Sequence, residues 1–82
     1  MILIISRDLR YDYIDHDEAI IKYMYQEYGL DPIGSGAGMG KRDLEFDCQT
    51  EYSHDFTDEM RLKLCKLAKD RSIQISFRKD VD

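Results

Sequence analysis

The chain predicts an α+β fold: a ferredoxin-like β-α-β-β-α-β two-layer sandwich, with a mostly antiparallel four-stranded sheet and both helices on one face. Three observations predict it. Leu44, Phe46 and Cys48 alternate with Asp43, Glu45, Asp47 and Gln49, and Ile73, Ile75 and Phe77 alternate with Gln74, Ser76 and Arg78. That is the pattern of an antiparallel sheet wet on one side. Two further segments repeat apolar residues at helical spacing. Between the first helix and the first alternating segment, Gly34, Gly36, Gly38 and Gly40 fall on every second position. If this stretch pairs as a strand the sheet has four strands. If it is only a loop, the alternative is a three-stranded β-α-β-α-β arrangement.

Met1 to Ile5 is apolar without alternation, which predicts a strand covered on both faces and central in its sheet. Asp15 with Glu18 three residues later fits the logic of a capping box and predicts the start of the first helix. Ile20, Met24 and Tyr28 form its apolar stripe, with Tyr23 beside them. Gly29 suits the left-handed position after a helix, and Asp31-Pro32 ends any continuation. In the glycine stretch side chains would alternate between faces, so one face would carry none. Gly38 to Lys41 is the expected turn, leading into the strand Asp43 to Gln49. Thr57 is the expected cap of the second helix, with Asp58 and Glu59 in its first turn. Met60, Leu64, Leu67 and Ala68 are its expected buried stripe, with Lys63, Lys66 and Lys69 around an exposed Leu62. Ser72 to Arg78 closes the sheet.

At 82 residues the chain is expected to form one compact domain, 1–82, with a single modest core. Its net charge is −5, unevenly spread. Residues 1–59 hold 5 basic and 14 acidic side chains, whereas 60–82 hold 7 basic and 3 acidic. An acidic total disfavours nucleic acid and membrane as partners and suits a basic protein partner. Cys48 and Cys65, the two cysteines, have neither CxxC nor zinc-type spacing. The apolar run Ile2-Leu3-Ile4-Ile5 is too short for a signal sequence or a membrane span. Reduced thiols in a cytoplasmic protein are the expectation.

The glycine stretch invites a phosphate-loop reading that fails in detail. Ser35 stands where a Walker loop needs its first glycine, and Arg42 stands where the magnesium-binding hydroxyl should be. The dinucleotide fingerprint fails on spacing, and both motifs need a helix to follow. A weaker version rests on topology. The first strand–helix loop and the central hairpin share one end of a split βαβ sheet, so Arg7, Arg10, Gly38, Gly40, Lys41 and Arg42 form a candidate site for an anionic or phosphorylated ligand. Nearby Asp8, Asp12, Asp15, Asp17 and Asp43 can instead neutralise those cations as ordinary loop ion pairs.

His16-Asp17 and His54-Asp55 have the residue types of a metal site or an acid–base pair. Both doublets precede helices that start at opposite ends of the sheet, so no metal and no catalytic residue is assigned. Cys48 points inward, and no histidine is placed near either thiol. Six tyrosines are too many for so small an interior. Tyr11 and Tyr13 flank a loop and Tyr25 lies off the helix stripe, so these three are candidate interface residues; rings capping a small core are the competing reading. The open side of the sheet would present an apolar centre ringed by Asp43, Glu45, Asp47, Gln74 and Arg78. A second copy could bury that centre, and the glycine strand offers an edge for strand addition.

The sequence therefore predicts a non-catalytic protein-binding or regulatory module, of the small acidic interaction or inhibitor type. It would work through the open sheet face and tyrosine-bearing loops, on a protein partner or as a homodimer, without a cofactor. The alternative is a small-ligand sensor or minor enzyme that binds an anion at the glycine-rich hairpin.

Overall fold

Six elements follow one another in the computed structural model, which describes residues 1–9 and 13–79: β1 (Ile2–Asp8), α1 (Tyr13–Tyr28), β2 (Pro32–Gly38), β3 (Lys41–Asp47), α2 (His54–Ala68) and β4 (Gln74–Arg78). The four strands form one sheet in the order β2-β3-β1-β4, every neighbour antiparallel. This is the split βαβ arrangement of an α+β sandwich, with β3 inserted between β1 and β2. The glycine stretch does pair. Ser35 lies opposite Leu44 and Ala37 opposite Arg42, while Gly34 and Gly36 lie opposite Glu45 and Asp43.

β1 is central, as its unbroken apolar run implies, but it extends past Ile5 to Asp8. Leu3 and Ile5 are fully buried, while Ile2 and Ile4 on the other side are half-buried. One core cluster joins Leu3, Ile5, Leu44, Phe46 and Ile73 to Ile20 and Met24 of α1 and Met60, Leu64 and Ala68 of α2. Leu67, expected in the α2 stripe, is exposed, and Leu62 is exposed as expected.

α1 opens two residues earlier than Asp15, which places that carboxylate in the first turn beside the unpaired N–H groups. α2 starts at His54, and its cap is Ser53 rather than Thr57. Ser53 Oγ accepts from Phe56 N–H at 3.3 Å, and Thr57 Oγ1 donates back to the Ser53 carbonyl at 2.9 Å. Gly29 takes the left-handed conformation after α1, with φ +66. Lys69 does so after α2 with φ 53, where Asp70 N–H donates to the Cys65 carbonyl at 3.0 Å. These bonds satisfy carbonyls that the last helical turn leaves open. Asp70 then turns the chain into β4: its Oδ1 accepts from Ser72 N–H and Ser72 Oγ–H, and Ser72 Oγ accepts from Asp8 N–H at 2.9 Å.

Candidate protein-binding face

The register of the strands assembles a surface four residues wide. Asp8 of β1 lies opposite Lys41, and Lys41 opposite Gly38. The next row is Gly36, Asp43, Ser6 and Gln74. Then come Gly34, Glu45, Ile4 and Ser76, and finally Asp47, Ile2 and Arg78. Strand side chains alternate between faces, so all of these share the side opposite Leu3, Ile5, Leu44 and Phe46. Asp43, Glu45, Asp47, Gln74 and Arg78, dispersed over 36 residues of sequence, are thus brought onto one surface around Ile2 and Ile4.

The surface is knit by polar contacts. Ser6 Oγ donates to Asp43 at 2.7 Å, and the Arg78 guanidinium reaches Glu45 Oε1 at 3.1 Å. Since Glu45 belongs to β3 and Arg78 to β4, that pair bridges β1. Lys41 pairs with Asp8. From Gly34 to Gly38 the β2 face carries no side chain, because Gly34, Gly36 and Gly38 all point there. A Cβ built on Gly36 or Gly38 would meet nothing within 4 Å, whereas one on Gly34 would meet Glu45 Oε2 at 3.0 Å. The Glu45 carboxylate leans over the bare strand. Met39 and Gly40, with φ 52 and 76, form the two-residue turn between β2 and β3, and Met39 is fully exposed at its tip.

Of the candidate anion site, Arg7, Gly38, Gly40, Lys41 and Arg42 converge at one end of the sheet, where Leu9 N–H donates to the Gly40 carbonyl at 2.8 Å. Their cations face carboxylates there. Arg7 and Arg42 lie directly opposite each other on β1 and β3, on the core side, and both bond Asp17 of α1. Arg42 donates to Asp17 Oδ2 through Nε at 2.9 Å and Nη2 at 2.7 Å. Arg7, read from sequence as a loop cation, is only 1% exposed. Its position on the Leu3-Ile5-Arg7 parity of the strand was the signal for this. Arg10 lies outside the described residues.

Among the tyrosines, Tyr25 is 61% exposed on α1, the helix whose Asp17 reaches the core side, so it does not join the open rows. Tyr13 contributes the first residue of α1, and Tyr11 lies outside the described residues. Tyr28 and Tyr52 belong instead to a run of edge-to-face rings through Phe56 to Phe77, with centroids 5.0–5.7 Å apart. Burial pushes the Tyr28 phenol up to about 12, with a hydrogen bond to Tyr23 adding to it, and burial also raises Tyr52. These rings border an open cleft of about 930 Å³ at the end of the sheet away from the hairpin, lined also by Met1, Ile33 and Cys48. Sequence reasoning missed it, because it forms where the end of α1, the start of β2 and the end of β3 meet.

His16 lies beside Asp17 at the hairpin end, whereas His54 opens α2 at the other. Among the described residues no group of three or more His, Cys, Asp and Glu side chains converges, and no helix is long and apolar enough to cross a membrane. No family model matches the chain, and neither curated proteins nor solved structures show a match to it.

Proposed function

We propose that this chain is a non-catalytic protein-recognition module whose binding surface is the open face of the sheet. The observation that carries the reading is the assembly, by strand register alone, of Asp43, Glu45, Asp47, Gln74 and Arg78 around Ile2 and Ile4. A small apolar centre inside a polar rim is the anatomy of a recognition patch. Its acids match a basic partner. Two half-buried isoleucines, bridged by an ion pair, offer too little apolar area to drive self-association, since a stable interface buries about 800 Å² on each partner. A protein partner is therefore favoured over a second copy. The buried Cys48 and half-buried Cys65, both free thiols, fit a reducing compartment and support a cytoplasmic setting.

The test is capture by the immobilised chain from its source cells, with the size of each complex read by light scattering. The wild type and Leu62→Glu, altered on exposed α2, should retain the same partner. Ile4→Glu and Arg78→Glu should lose it. Strictly monomeric behaviour with nothing retained, or retention by all four proteins alike, contradicts the reading.

A further inference from the structure

We propose that β2 accepts an extended segment of a protein partner as a fifth strand, and that this segment carries Lys or Arg at alternate positions. The inference rests on the recognition reading above and names the chemistry of its partner.

Among the described residues β2 is an edge strand, so every second residue turns its N–H and C=O away from β3 with no described strand to receive them. Natural edges are usually blunted by charge, proline or a bulge. In β2, Pro32 and the register shift between Pro32 and Gly34 guard the first end only. Residues 34–38 continue as regular strand without a charged side chain. The opposite edge, β4, is shorter and ends in Arg78 followed by Lys79.

The side chains of an added strand would alternate between the two faces. Those on the open face would stand beside the glycine lane, where Gly36 and Gly38 leave open space. A long cationic side chain can cross that lane to reach the row behind it, two strand spacings or about 9.6 Å from backbone to backbone, because the cation and the carboxylate both extend into the gap. Behind Gly36 and Gly34 that row is Asp43 and Glu45 of β3; Lys41, paired with Asp8, stands behind Gly38, and Asp47 follows just beyond the paired end of β2. Asp43 and Asp47 make no ion pair among the described residues, and the Glu45 carboxylate already leans over Gly34. Backbone pairing alone would leave the register loose beside so many glycines; the acids at every second position select the spacing of the cations. A second copy added through its own β2 would bring another Asp43 and Glu45, with a single cation, Lys41, that is already paired with Asp8, which disfavours self-pairing.

The test uses the peptide acetyl-Thr-Lys-Val-Lys-Val-Lys-Thr-amide and its counterpart with Glu in place of Lys, with binding read by anisotropy and by residue-resolved amide exchange. The Lys peptide should bind at least tenfold more tightly than the Glu peptide and slow exchange within residues 33–38. Asp43→Asn combined with Asp47→Asn should weaken it about tenfold. Gly36→Val, whose Cβ meets nothing, should keep or raise the melting temperature while weakening the Lys peptide. Equal binding of both peptides, no binding, protection on β4 instead, or protection of 33–38 produced by raising protein concentration alone each overturns the inference. If the peptide fails while Ile4→Glu still abolishes partner capture, strand addition falls and the recognition face stands. If the peptide pairs with β2 while Ile4→Glu changes nothing in capture, the face falls instead.

Discussion

Asp17 is a buried carboxylate whose removal takes a counter-charge from two cations. It sits between Arg7 and Arg42, one of them fully buried, and a buried charge stripped of its counter-charge is far more costly than a surface one. Asp17→Ala should therefore lower unfolding stability by about 3–5 kcal/mol. Asp43→Ala, which loses one part-buried hydrogen bond to Ser6, should lose about 1 kcal/mol. Urea unfolding of both variants checks the contrast, and equal losses would refute the buried network. Tyr28 gives a pH dependence. The native phenol holds its proton more tightly than the unfolded one, because its ordinary 10.0 is pushed up to about 12. Its stabilising contribution is complete below pH 10 and is lost as the pH rises to 12. Tyr28→Phe should flatten part of the alkaline stability loss in that window, the rest belonging to Tyr52 and the other groups that titrate there. The Asp17 network was partly legible in the sequence: Asp17, Ile20 and Met24 share a helical stripe, and Arg7 continues the parity of Leu3 and Ile5. What hid it was ending the first strand with its apolar run at Ile5, which left Arg7 in the loop, whereas a cation can continue a strand when a carboxylate from a packed helix meets it.

Elements were read best where periodicity was strong. The alternation around Leu44 and Phe46, the apolar run of β1 and the glycine after α1 all appear as expected. Boundaries shifted by a few residues: β1 runs on to Asp8, α1 opens at Tyr13 and α2 opens at His54. Ser53 won over Thr57 because Phe56 extends the aromatic packing of α2 back toward Tyr28 and Tyr52, so the helix begins a turn earlier. The glycine stretch could not be resolved from composition, because glycine is poor strand material; it pairs here because the Met39-Gly40 turn returns it onto β3. In that turn Met39 holds a left-handed conformation that costs an ordinary residue about 1–2 kcal/mol and asparagine less. Met39→Asn creates the favoured Asn-Gly pair and should stabilise the hairpin by about 1 kcal/mol. A melting temperature that falls on this substitution would show that the Met39 side chain is held by something more than the turn.

At the scale of the molecule, the sheet has two unlike sides. One carries Leu3, Ile5, Leu44 and Phe46 into the core. The other presents a charged, part-apolar surface bordered by bare glycine backbone. The sequence displayed the membership of that surface, since alternation assigns Asp43, Glu45, Asp47, Gln74 and Arg78 to one side of their strands. It could not display the neighbours, because which strand lies beside which is set by long-range pairing. The ion pair from Arg78 to Glu45 across β1 is a consequence of that pairing, and the cleft beside Tyr28 and Tyr52 needs in addition the end of α1 packed beside the strands. The most direct measurement is site-specific photo-crosslinking in source cells, with the photoreactive residue placed at Ser76 on the open face or at Leu62 on α2. Adducts to another protein from Ser76 and none from Leu62 are the predicted result; adducts from Leu62 with none from Ser76 would contradict the account.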